Sequence, residues 1–336
     1  MKEKLFFFSI KHPLSYILLL AIVVRILAAV LTSGWIAGWD YNFNNYRIPG
    51  PWFDNPWIVY ISRLILGAFS LLVITLAYRI TKIIADKTTA LEIATFCALL
   101  WGMPFVSVHP FPAAVALPFL LYGTLLIMKQ HNLLENNEIE KFHRTTFIVA
   151  GFFLGMGFAA YYQSLIYYIG IVITLLILKN WKGALMSLIG YVLAVGITQT
   201  IVDLVVYHRP LVAMSVFLHD LAIIDINYEL TAMFICAMMI PPMSLMLIFG
   251  FFRVLRKYII LVLPALLTMI YSIFTNNNLD LLIMIAPTYL IAGYVGWKEF
   301  YKNSAFWTNN KWLLWTCYSV FALMNIAMII YTFVKL

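Results

Sequence analysis

Charge is scarce in this chain. Asp, Glu, Lys and Arg make up 11% of its 336 residues, while 64% are hydrophobic. A soluble domain carries about 25% charged and about 45–50% apolar residues, so the composition excludes a soluble globular protein. Cysteine is scarce too. Cys97, Cys236 and Cys317 each sit in an apolar run with no CxxC spacing. That excludes a disulfide framework and a thiolate zinc site, and leaves three small buried residues. A P-loop, a Rossmann glycine pattern, an HExxH and a GxSxG are all missing. The histidines and carboxylates show no metal-ligand spacing. Nucleotide-driven chemistry has no template here, and neither a metal nor another cofactor is expected.

What the chain does have is long apolar runs. A bilayer core about 30 Å thick needs roughly 20 apolar residues per helical span. Read this way, the sequence predicts eleven spans near 14–33, 57–78, 89–103, 110–128, 145–160, 162–178, 183–206, 230–252, 257–274, 279–297 and 312–334. Unpaired backbone is intolerable in hydrocarbon, so the runs should be helices. They do not alternate, which argues against a transmembrane barrel. The expected fold class is therefore all-α: a single polytopic bundle over 1–336. Lys2, Lys4 and Lys11 precede the first run with no small-residue cleavage site after it, so 14–33 reads as a retained span.

The basic residues divide by side. Seventeen of the 22 Lys and Arg, from Lys2 through Lys311, fall on one side of these spans. Only Arg47, Arg209 and Lys335 fall on the other, and Arg25 and Arg63 lie inside spans. The positive-inside rule then puts the N-terminus in the cytoplasm, and the inner membrane of a bacterium is the expected home. The net charge of +8 is thus topological. It faces membrane lipids, and no nucleic-acid partner is needed. Asp40, Asp54, Asp203, Asp220, Asp225, Glu229 and Asp280 gather on the outer side with His109, His208 and His219, which marks that face as the functional one.

Three places there carry candidate chemistry. The loop Gly34–Arg47 holds a lone carboxylate, Asp40, among Trp35, Trp39, Tyr41, Phe43 and Tyr46. It reads as a general base or orienting acid beside rings that stack on a sugar or an isoprenoid. Its structural alternative is a loop-helix cap in an aromatic belt. Arg63, about two turns into the second span, reads either as a clamp for a lipid phosphate or as a snorkelling side chain. Arg25, near the middle of the first span, reads as half of a buried structural pair or as a snorkelling side chain. Segment 203–229 places Asp203 and Tyr207 on one helical face. His208 and Arg209 stand where the span leaves the membrane, and Pro210 breaks the helix. An amphipathic stretch over 211–224 with Ser215 and His219 on one face reads as an interfacial helix. His208, Arg209 and His219 bind a phosphate headgroup in the functional reading; otherwise they belong to a wet connector. Val106–Pro112, with His109, reads as a short outer turn.

Taken together, Trp39-Asp40-Tyr41, Arg63-Leu64 with Gly67 and Ser70, Tyr162-Gln163, Asp203 with Tyr207 and Pro210, and the loop 275–280 before a span containing Pro287 resemble the GT-C superfamily of membrane glycosyltransferases. Within it they are most similar to the Alg9-like mannosyltransferases. Gly38-Trp39-Asp40-Tyr41 stands where that family carries a His-Pro-Asp-Glu type of motif. The resemblance implies inverting transfer of a sugar from a polyprenyl-phosphate donor on the non-cytoplasmic side. Asp40 would activate the acceptor hydroxyl, with Trp39 and Tyr41 beside the substrate. Arg63, His208 and Arg209 would face the leaving phosphate. A lipid-linked-saccharide polymerase, ligase or flippase would use the same face, and a subunit that docks a protein partner is a further alternative.

Overall fold

The computed structural model describes residues 12–31, 56–109, 111–135, 144–212, 214, 215, 218, 219, 243–275 and 278–335. Among them the regular elements are all helical. They are α1 (Pro13–Leu31), α2 (Pro56–Ile84), α3 (Lys87–Leu99), α4 (Gly102–Val108), α5 (Pro112–Glu135) and α6 (Arg144–Ala160). A 3-10 turn (Tyr162–Ser164) leads to α7 (Leu165–Ile177) and α8 (Trp181–Tyr207). Then come α9 (Met243–Arg253), α10 (Ile259–Ser272), α11 (Asn278–Asn303), α12 (Ala305–Asn309) and α13 (Lys311–Lys335).

Six of these are long and apolar enough to cross a membrane, or seven if the bent pair α3–α4 is one span; α6, α9, α10 and the 3-10 turn with α7 are shorter and apolar. This is a multi-pass membrane protein. Its axis is α11, whose membrane segment is 94% buried although its mean hydropathy of 1.4 is the lowest of the six. At the rim, α13 is 11% buried and turns Trp312, Trp315 and Leu323 outward.

Lipid tails are as apolar as leucine, so burial of oily side chains does not drive helix to helix. Close backbone approach does. A Cβ on Gly151 of α6 would lie 1.9 Å from the Ser187 carbonyl oxygen of α8. One on Gly250 of α9 would lie 1.9 Å from the Gly293 carbonyl oxygen of α11. Only glycine permits these two contacts.

The expected span 89–103 is broken instead. Pro104 lacks an N–H and its ring clashes with a continuing helix, so it fits only the first turn of a new one. α3 stops at Leu99, and α4 sets off at 61° to it. Freed backbone groups inside a membrane need partners, and two distant side chains supply them. Asn325 of α13 donates from Nδ2 to the Leu99 carbonyl (3.0 Å) and accepts the Trp101 N–H (2.9 Å). Arg25 of α1 donates to the Ala98 carbonyl (3.4 Å). The expected outer turn 106–112 is corrected accordingly. Val106 to Val108 belong to α4, and His109 is buried, its Nδ1 2.8 Å from the Phe105 carbonyl. α5 also runs on to Glu135, past the expected end of that span at 128.

Candidate functional site: a lateral groove lined by two arginines

α1 and α2 run antiparallel, and their apolar faces are interrupted by two arginines at matching depth. Arg25 lies six residues before the end of α1 and Arg63 seven residues after the start of α2. At 1.5 Å per residue both sit about 10 Å inside their helix ends. Arg25 is 4% exposed and Arg63 1%. A cation at the centre of a membrane helix costs about 2.5–3.5 kcal/mol on insertion scales, so two within reach of one surface require an account.

Arg25 is largely explained by hydrogen bonds. Its Nε donates to Ser70 Oγ (2.6 Å), and Nη1 donates to the carbonyls of Ala21 and Ala98 (3.4 Å each). Ser70 Oγ donates onward to the Gly67 carbonyl (2.7 Å). The guanidinium thereby ties α1 to α2 and to the end of α3. Among the described residues no carboxylate pairs with it, and Nη2 carries no hydrogen bond. Arg63 Nη1 donates to the Ala29 carbonyl (3.3 Å), one turn nearer the helix ends.

Both side chains line one cavity of about 250 Å³ with Ile22, Ile26, Leu64, Gly67, Ala68 and Leu71. Its floor is low because Gly67 has no side chain; a Cβ there would touch Arg25 and Val108. Its mouth is lipid-facing, since Ile22, Ile26 and Leu64 are exposed on the outside of the bundle. The groove therefore opens sideways to the acyl chains, with the two arginines buried in its wall.

Asp203 has a different task from the one its helical face implies. It is 4% exposed, and its Oδ2 accepts the Val212 N–H (2.7 Å). α8 ends at Tyr207, His208 takes a left-handed conformation (φ 55), and Leu211 does the same (φ 59) beyond Pro210. The carboxylate thus folds the chain back against the end of α8 and fixes the turn that displays His208 and Arg209, both exposed. Residues 212, 214, 215, 218 and 219 are helical, as the amphipathic pattern predicts, and His219 is exposed.

The structure brings Arg25 and Arg63 together. His208, Arg209 and His219 are not among the described residues that line their groove. Trp39, Asp40 and Tyr41 lie outside the described residues, as do Asp54, Asp220, Asp225 and Glu229. Sequence reasoning assigned Arg25 to structure alone and missed its place on the groove wall. The i, i+4 and i+7 spacing of Arg63, Gly67 and Ser70 was the available signal. It also missed buried Ser164 and Gln199, although Gln199 precedes Asp203 by one helical turn. Among the described residues no three His, Cys, Asp or Glu side chains gather to hold a metal ion. No protein-family model matches the chain, and no curated protein matches it.

Proposed function

We propose that this protein is a membrane glycosyltransferase that moves a sugar from a polyprenyl-phosphate donor to an acceptor hydroxyl on the non-cytoplasmic face. The observation that supports it is the lateral groove with Arg25 and Arg63 on its wall. A polyprenyl phosphate joins a long apolar chain to a compact anion, and the groove joins lipid access to buried cations. In this reading the chain crosses the membrane eleven times, with the four shorter apolar helices among the spans. The N-terminus is cytoplasmic, and the bilayer is a bacterial inner membrane.

The reaction needs a base, an electrophile and a stabilised leaving group. The acceptor hydroxyl attacks the anomeric carbon from the face opposite the phosphate, so configuration inverts. The bond from that carbon to the phosphate oxygen breaks, and the hydroxyl proton passes to the Asp40 carboxylate. The lipid phosphate leaves with the electron pair, and Arg63 holds the developing charge. His208, Arg209 and His219 attend the headgroup from the turn after α8, and Trp39 and Tyr41 stack on the sugar.

The test separates binding from chemistry. Wild-type protein in nanodiscs should retain a radiolabelled long-chain polyprenyl monophosphate in preference to the matching polyprenol. Arg63→Gln should weaken that retention about 10-fold or more, since a hydrogen bond to a charged group contributes about 1.5–3 kcal/mol. Asp40→Asn should leave retention intact and cut sugar transfer by about 10²–10⁴. Equal retention of phosphate and alcohol would refute the groove as a phosphate site. Full transfer by Asp40→Asn would reject the base.

A further inference from the structure

α2 begins beside the arginine groove and ends beside a second cavity. This one, about 200 Å³, lies between the α2–α3 turn and the last turns of α11. Asp86, Lys298, Glu299 and Lys302 form its polar walls, with Ile84 and Val295 as apolar floor.

Most of the charges here are already matched. Lys298, buried among helices, meets Glu92 at 2.5 Å. Glu299 accepts Lys257 Nζ at 2.6 Å and the Tyr258 hydroxyl at 3.0 Å. The same hydroxyl lies 3.0 Å from the Ile84 carbonyl, so its one hydrogen is shared between the two acceptors and ties the α9–α10 turn to the end of α2. Two charges remain. The Asp86 carboxylate takes hydroxyl hydrogens from Thr88 and Thr89, but among the described residues no cation stands within ion-pair distance of it. The Lys302 ammonium has no carboxylate within that distance among the described residues. The threonine hydroxyls hold the Asp86 carboxyl well below the usual carboxylate range, so it is an anion at neutral pH.

An anion and a cation thus face one cavity from two separate elements without closing on each other. A ligand that bridges them carries an ammonium and an acidic group a short linker apart. The surroundings set its source. The segments just after α11 expose Phe306, Trp312 and Trp315, and exposed aromatics of this kind sit at headgroup depth. Ile84 and Val295 give the cavity an apolar side beside its polar walls.

We propose that this cavity binds the headgroup of a phosphoethanolamine lipid, its ammonium on Asp86 and its phosphate on Lys302. A choline headgroup has no N–H to donate to Asp86, and a glycerol headgroup has no cation. The site is independent of the sugar-transfer reading.

Full-length protein is equilibrated with vesicles of phosphatidylethanolamine, phosphatidylcholine and phosphatidylglycerol in equal parts with matched chains. Retained lipid is then counted by native mass spectrometry. One phosphatidylethanolamine should be held over either competitor by about 10-fold, or about 1.4 kcal/mol. Lys302→Gln alters an exposed side chain with no ion-pair partner among the described residues, so it should fold and lose that preference. Asp86→Asn should lose it too, while Lys311→Gln should keep it. Equal retention of the three lipids, or an undiminished preference in Lys302→Gln, would overturn the proposal. Displacement by an equal concentration of soluble glycerophosphoethanolamine would overturn the lipid assignment in favour of a free zwitterion.

Discussion

Asn325→Leu isolates the cost of the break between α3 and α4. The substitution keeps the branched shape of the side chain and removes two hydrogen bonds at once, one to the Leu99 carbonyl and one from the Trp101 N–H. Single interhelical hydrogen bonds in membranes average about 0.6 kcal/mol and reach about 1.7. Leaving a buried backbone group without a partner costs about 1–3 kcal/mol in protein interiors. The two figures overlap near 1 kcal/mol per bond. Losing both should therefore destabilise the protein by about 1–3 kcal/mol. Reversible unfolding by steric trapping in bicelles measures the difference. Leu323→Ala serves as a reference, because Leu323 is 68% exposed on the same helix and should cost almost nothing. Hydrogen exchange gives a local readout, since the Trp101 amide in the break should lose protection in Asn325→Leu before the amides of α3 do. A stability within about 0.3 kcal/mol of wild type, with Trp101 still protected, would refute the view that Asn325 holds the break together.

Arg25→Met removes three hydrogen bonds but also a buried charge that has no carboxylate partner among the described residues. It should change stability by less than about 1 kcal/mol while abolishing polyprenyl-phosphate retention, which thermal unfolding and lipid binding on one preparation would separate. Gly250→Ala forces a Cβ to within 1.9 Å of a carbonyl oxygen and should cost more than about 1–3 kcal/mol of overpacking. Gly196→Ala meets nothing within 4 Å and should be neutral or gain up to about 1 kcal/mol of helix propensity in the same melt. Asp86 has a depressed folded pKa, so its contribution is present above the unfolded value of about 3.9 and is lost as pH falls through the folded one. The stability difference between wild type and Thr89→Val should be flat from about pH 8 to 5 and shrink only below about pH 4.

The helices were legible in the sequence because membrane burial demands continuous apolar runs. The predicted ends of the run at 183–206 fall within two residues of α8. The break at Leu99 was not legible. Its signal is Pro104 alone, and its compensation comes from Asn325, more than two hundred residues away. Hydropathy also cannot see which face of an apolar helix meets lipid and which meets protein, so it gave no hint that α11 is the axis and α13 the rim. For the site, residue type was informative and pairing was not. Arg63 stood out as a cation in a greasy segment, but its shared groove with Arg25 depends on how α1 and α2 register. Asp203 looked like half of a polar pair on one face. Its actual partner, the Val212 N–H, becomes visible only once Pro210 and two left-handed residues have turned the chain.

The burial of α11 bears on how the protein is made. The ribosome delivers this helix after α1 to α10, yet its neighbours in the finished bundle include α2, α3, α5, α9 and α10. Until it arrives, those helices surround a vacant slot that lipid must occupy, and α11 is the least hydrophobic of the six long apolar helices. Its entry is therefore governed by what it finds waiting in the membrane. Assembly resembles setting a keystone. A nascent chain stalled before residue 278 should stay loose and open to degradation, and the first substantial gain in protease resistance should come with α11, ahead of the peripheral α13.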